Sequence, residues 1–75
     1  MKSKIEFYTV NKVKELRKEK DMSLRYLADC LNVSHAFIYK VEKMQYAQTY
    51  NLDHLNELAK IFKCSLWDLI PKDPL

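Results

Sequence analysis

The chain contains no glycine, and its only two prolines, Pro71 and Pro74, fall within the last five of its 75 residues. The two commonest helix breakers are therefore absent from the interior, which favours an all-helical protein. Without glycine there is also no Gly-rich loop to cradle a phosphate, so nucleotide-binding motifs drop out. Cysteine is scarce. Cys30 and Cys64 stand far apart with no Cys-x-x-Cys spacing, which leaves zinc and redox motifs without support. Both are read as buried thiols, Cys30 beside Leu27 and Leu31 and Cys64 beside Leu66, with a disulfide between them left open. His35 and His54 are the whole histidine inventory, so neither a metal cluster nor a catalytic dyad suggests itself, and no enzyme activity, metal or cofactor is expected. Long apolar runs are missing too. No stretch approaches the ~20 apolar residues of a membrane span, and residues 1–10, with Lys2, Lys4 and Glu6, lack the apolar core of a signal peptide. A cytoplasmic protein with no membrane partner is the reading.

What is present is a composition of 48% hydrophobic and 31% charged residues, that of a folded protein and not of a disordered tail. The length supports one modest core and hence one domain over residues 1–75. The net charge of +3 is uneven: residues 1–51 hold ten Lys and Arg against six Asp and Glu, while residues 52–75 hold three against four. A basic segment beside a near-neutral one suits a polyanion-binding face, although ordinary solvated surfaces share that pattern.

Val10, Val13 and Leu16 recur at three-residue steps among charged neighbours, the stripe of an amphipathic helix over residues 9–20. Thr9 can cap it, which makes residues 1–8 an N-terminal arm whose Ile5, Phe7 and Tyr8 lie against the core or project from it. Ser23 can cap a second, short helix with Leu24, Leu27, Ala28 and Leu31 on one face. Asn32 follows where a tight corner needs a positive φ, with Val33 plugging the corner. Ser34 can cap a third helix through about Lys43, with Phe37 or Ile38 and Val41 inward and His35, Ala36, Tyr39, Lys40 and Lys43 outward. Residues 44–51 have no apolar period and read as a surface loop. Asn51 can cap a fourth helix striped by Leu52, Leu55, Leu58, Ala59 and Phe62, with His54 on its polar side. Ser65-Leu-Trp-Asp is a capping-box pattern opening a fifth helix that ends before Pro71, leaving a tail over residues 71–75.

The informative unit spans residues 23–43: a short helix, a turn of about three residues and a second helix, with small Ala28 where the two cross. Such a pair can place its second helix in the DNA major groove, which is wide enough for one helix, while the first braces it across the backbone. A plain helical hairpin within a bundle has the same spacing, and spacing alone leaves both open.

Three segments, Val13-Lys-Glu-Leu-Arg-Lys-Glu-Lys-Asp-Met-Ser, Leu27-Ala-Asp-Cys-Leu-Asn-Val-Ser and Ile38-Tyr-Lys-Val-Glu, resemble the Cro and phage-repressor, or XRE-type, helix-turn-helix family. Leu58-Ala-Lys-Ile-Phe-Lys-Cys-Ser-Leu-Trp-Asp-Leu-Ile is similar to the family's fourth and fifth helices, so the likeness runs from about Val10 to Ile70. The resemblance implies a lambda-repressor-like, all-α, compact five-helix bundle that binds double-stranded DNA and regulates transcription. It further implies that His35, Ala36, Tyr39 and Lys40 sit nearest the base edges. Arg25, Ser34, Phe37, Lys43, Gln45 and Tyr46 would meet phosphates, and Arg17 and Glu42 would form a structural ion pair between the first and third helices. A homodimer on a pseudo-palindromic operator follows from the same likeness, with Trp67, Leu69 and Leu75 as candidates for its two-fold interface.

The chain departs from the family pattern in five places. Leu24 replaces a phosphate-touching polar residue, and Asn32 and Met44 stand where glycine is usual. Phe37 takes a small polar residue's place, and the loop before the fourth helix is about two residues longer. A protein partner remains a rival reading: an antitoxin-like interaction module using the aromatic third-helix face and residues 44–50, as Phe37, Tyr39, Tyr46 and Tyr50 suggest.

Overall fold

A chain without glycine must turn its left-handed corners with other residues, and the computed structural model, which describes residues 1–75, shows which ones it uses. Asp21, Asn32 and Lys63 adopt φ of 54°, 59° and 57°. Asp and Asn tolerate this conformation through their short polar side chains, whereas Lys63 has no such aid. These three residues close the first, second and fourth of the four α-helices: α1 (Lys4–Glu19), α2 (Leu24–Leu31), α3 (His35–Val41) and α4 (Leu52–Phe62). No strand is present.

The helix starts follow side-chain chemistry. The hydroxyls of Ser23 and Ser34 each accept the N–H three residues on, from Tyr26 and Phe37, at 3.0 Å. Asn51 caps α4 by accepting from the His54 N–H at 2.8 Å, and His54 Nδ1 accepts the Asn51 N–H in return at 3.1 Å. Each cap satisfies a donor that the first turn of a helix otherwise leaves open.

The N-terminal arm expected over residues 1–8 is instead helix. Ser3 and Glu6 form a capping box, Ser3 Oγ accepting the Glu6 N–H at 3.2 Å and the Glu6 carboxylate accepting the Ser3 N–H at 2.8 Å. That reciprocal pair starts α1 at Lys4, five residues before Thr9, which is buried within the helix and caps nothing. The fifth element is shorter than expected, a single 3-10 turn over Leu66–Asp68. Asp68 accepts from the Ser65 N–H at 2.9 Å and so starts the turn, while Pro71 keeps Ile70 out of the α region and prevents extension.

One core joins these elements. Val10 and Val13 from α1, Leu27, Ala28 and Leu31 from α2, Ile38 and Val41 from α3, and Leu55, Leu58, Ala59 and Phe62 from α4 are buried together. Ala28 is wholly inaccessible, as the close crossing of α2 and α3 requires. Two further members lie outside the helices. Tyr50 turns in from the connection that reads as a surface loop, and Leu69 seals the end of α4. Leu69 is completely inaccessible and so leaves the set of dimer-interface candidates, since a side chain already spent on the core has no surface to offer a second copy.

Cys30 also departs from expectation. It is exposed, because α2 buries Leu27, Ala28 and Leu31 and position 30 falls on the outer side, and both thiols are free. Cys64 is partly covered, and burial, with Asp68 adding, pushes its thiol above the usual range against the opposing pull of Lys20. No helix is long and apolar enough to cross a membrane.

Candidate nucleic-acid interface

The second helix of the pair, α3, is seven residues long, and only Ile38 and Val41 are spent on the core. At 3.6 residues per turn, burying those two on one side turns His35, Ala36 and Tyr39 to the other, and all three are exposed, with Lys40 half-buried beside them. The four residues expected at base edges therefore share one face, uncovered at His35, Ala36 and Tyr39 and partly covered at Lys40.

Their surroundings hold them in place. His35 Nε2 lies 3.0 Å from the Asp29 carboxylate, tying the start of α3 to α2 while leaving Nδ1 free. The Lys40 ammonium lies 5.8 Å from the centre of the Tyr46 ring, and the Lys43 ammonium 5.1 Å from that of Tyr39. Both are within the ~6 Å at which the ring face attracts a cation. These two pairs present ammonium groups on the α3 face and its flank and give the aromatic rings Tyr39 and Tyr46 an intramolecular role.

Behind α3 stands the Arg17–Glu42 pair. Arg17 Nε donates to Glu42 Oε2 at 2.9 Å, its Nη2 donates to Oε1 at 3.0 Å, and Nη1 donates to the Met22 carbonyl at 2.7 Å. Both side chains are at most one-tenth exposed. A two-pronged, nearly dry pair fixes the end of α3 against α1 with geometric specificity that a single contact lacks. The contact of His35 with Asp29 at this face is, by contrast, open to solvent.

Phe37 is positioned by packing. Its ring is partly buried, 5.2 Å from the His54 ring and 6.4 Å edge-on from Tyr50, and its N–H is already taken by Ser34. Its inward packing accounts for an aromatic residue where the family has a small polar one. Of the remaining residues expected at phosphates, Arg25, Ser34, Lys43 and Gln45 are exposed around α3, and Tyr46 is half-buried under Lys40.

Sequence reasoning missed three contributors. Lys14 and Lys18 of α1 join Lys43, Arg17, Leu24, Tyr39 and Glu42 around an open cleft of about 260 Å³ beside α3. Four cations line it against one carboxylate, and Arg17 pairs with that carboxylate, so Lys14, Lys18 and Lys43 leave the cleft net positive. The signal was there in the basic polar face of the first helix, but which helix face lies next to α3 depends on the tertiary fold. The third is Lys2, whose ammonium donates to the carbonyls of Lys43 at 2.6 Å, Tyr46 at 2.7 Å and Lys40 at 3.4 Å. Tyr50 is the one buried polar group left over: its hydroxyl has no partner, and burial, with Glu42 adding and Arg17 opposing, pushes it far above the usual phenol range.

No group of three or more His, Cys, Asp or Glu side chains is arranged to hold a metal ion. What the face offers is cations, one imidazole, and a free helix surface between them. Residues 12–72 match the family model of the Cro/C1-type helix-turn-helix DNA-binding domain. The chain belongs to that family. A crystal structure of SinR, the master regulator for biofilm formation, in complex with DNA superposes with a TM-score of 0.66 at 22% identity, covering 77% of this chain and 90% of that one. At that identity the likeness is one of fold. No curated protein matches the sequence.

Proposed function

We propose that this helix-turn-helix protein is a sequence-specific transcriptional regulator, a repressor or a restriction-controller-like protein, that reads the major groove of duplex DNA with α3. The carrying observation is the uncovered face of α3. His35, Ala36, Tyr39 and Lys40 share it, flanked by the cationic cleft of Lys14, Lys18 and Lys43. Lys40 can donate to guanine O6 and N7, His35 can donate or accept through Nδ1, and the Ala36 methyl can meet a thymine methyl. Arg25, Ser34, Lys43, Gln45 and Tyr46, with Lys14 and Lys18 added, would grip phosphates and fix register without reading sequence. Membership of a DNA-binding family supports this reading, as does a fold shared with a regulator crystallised on DNA.

Because one such module covers little DNA, the protein acts as a cytoplasmic homodimer on a pseudo-palindromic operator with half-sites about one helical turn apart. Trp67 and Leu75, 76% and 65% exposed, remain the interface residues. The rival reading, an antitoxin-like protein-binding module, has less support from its aromatic residues: Phe37 and Tyr50 pack inward and Tyr46 lies beneath Lys40, which leaves Tyr39 exposed beside Lys43.

The test is a duplex titration at several salt concentrations. Phosphate contacts give log K a slope of about −0.9 each, so several contacts per protomer predict a steep linear fall. Absent or salt-independent binding contradicts the proposal. Lys40→Ala is expected to lose ~1–3 kcal/mol at one base position, and Lys43→Ala to weaken all sequences alike.

A further inference from the structure

Of the four helices, α3 alone is not closed by a left-handed residue. Asp21, Asn32 and Lys63 close the other three, whereas the residue after α3, Glu42, stays right-handed at φ −79° and the glycine usual after this helix is replaced by Met44. The last carbonyls of a helix have no donor within it, and the left-handed turn is the ordinary way to supply one. Here the Ile38 and Lys40 carbonyls accept from the Glu42 and Lys43 N–H groups without a left-handed residue, and a further donor comes from the N-terminal end of the chain. Lys2, the residue before the Ser3 cap of α1, puts its ammonium among the carbonyls of Lys40, Lys43 and Tyr46. An ammonium has three donors, and three acceptors surround it, with Lys40 the longest contact. A cation also complements the negative end of a helix.

The three residues whose carbonyls accept from Lys2 are the ones whose side chains furnish the lysine-rich end of the candidate interface. Lys40 and Tyr46 pair with each other, and Lys43 pairs with Tyr39. Fixing those backbone positions fixes where the two ammonium groups project. Arg17 and Glu42 join α1 to α3 a short way off, so the end of α3 is held to α1 at two separate points.

We propose that Lys2 is a positioning residue of the DNA-binding face, which acts by gathering three carbonyls at and just beyond the end of α3 and so sets the placement of Lys40, Lys43 and Tyr46 against the DNA. This rests on the DNA-binding reading above. Lys2 does not read bases, and its effect appears in how well a preferred sequence is told from an arbitrary one. The competing role for a surface lysine is a direct phosphate contact, which weakens all sequences equally.

The experiment compares wild type, Lys2→Met and Lys2→Arg on a duplex selected by the wild type from a random pool and on an unselected duplex, each over a range of salt. Amide exchange of residues 43–46 is followed in the free proteins. Lys2→Met is expected to lose about tenfold on the selected duplex, the scale of hydrogen bonds from a charged group. It should change by no more than about twofold on the unselected one, with the salt slope unaltered. Amide protection at residues 43–46 falls, and Lys2→Arg, which keeps the cation and its donors, recovers most of both effects. Equal loss on the two duplexes with a slope shallower by about one overturns the proposal in favour of a phosphate contact. Unchanged discrimination in Lys2→Met overturns it as well. Wild-type protein that binds neither duplex sinks the DNA-binding reading and this one together, whereas a binding wild type matched by Lys2→Met sinks this one alone.

Discussion

Residues 32–34 and residues 42–51 both connect α3 to a neighbouring helix, and they do so by opposite means. The first connection is solved locally. Asn32 turns left-handed, the Val33 N–H donates back to the Ala28 carbonyl at 3.0 Å, and Ser34 caps the next helix, so every group involved lies within a few residues. The second has local turns as well, Lys43 onto Lys40 and Tyr46 onto Lys43, but it is anchored from a distance. Glu42 is held by Arg17, the carbonyls of Lys40, Lys43 and Tyr46 by Lys2, and Tyr50 returns to the core eight residues after Glu42. The difference teaches that the angle between α2 and α3 is intrinsic to the pair, whereas the far end of α3 is placed by α1.

The sharpest way to break that contrast is Glu42→Ala, which strands the Arg17 guanidinium in a nearly dry site. Removing one partner of such a pair costs about 3–5 kcal/mol, read as the shift in a urea unfolding curve. A loss below about 1 kcal/mol, the range of exposed pairs, would show that α1 does not hold α3 in this way. Next comes the local corner. Asn32→Val forces a β-branched residue into the left-handed region and is expected to cost about 1–2 kcal/mol, with Asn32→Gly close to neutral. Equal effects of the two substitutions on unfolding would mean that the corner is not fixed by its φ. Ser34→Ala removes the α3 cap for about 1 kcal/mol.

The smallest effect concerns Tyr50. Tyr50→Phe deletes a hydroxyl without a partner and is expected to leave stability unchanged or to raise it by up to about 1 kcal/mol. Its clearer mark is pH dependence. The folded pKa of Tyr50 lies above the unfolded value near 10, so its contribution is fully present below that pH and is lost as pH rises towards the folded value. Tyr50→Phe should therefore flatten the alkaline fall in stability, and an identical fall in the two proteins would place the phenol in solvent.

The same contrast explains what was legible in the sequence. The α2–α3 unit, its serine caps and the positive φ at Asn32 are short-range chemistry, and residue order displays them directly. The start of α1 was misplaced because Thr9 offered a plausible cap at the edge of the clean apolar period, while the Ser3 and Glu6 pair lay before it among Ile5, Phe7 and Tyr8, which are partly exposed and give no stripe. Tyr50 sat in a polar run with no period to mark it as core, and Leu69 took the end of α4 where a fifth helix was expected to leave it exposed. Within the candidate interface, one turn of helical geometry brought His35, Ala36, Tyr39 and Lys40 to a common face. Lys14, Lys18 and Lys2 came from α1 or its lead-in, and no spacing rule within the helix-turn-helix could have found them.

The central claim, that α3 occupies the major groove, is tested most directly by dimethyl sulfate footprinting on a selected duplex. The reagent methylates guanine N7 in the major groove and adenine N3 in the minor groove, so one reaction reports both. Protection of guanine N7 in each half-site, lost at one position in Lys40→Ala, with adenine N3 still reactive there, is the expected result. Protection confined to adenine N3, or none at a concentration where the duplex is saturated, would contradict it.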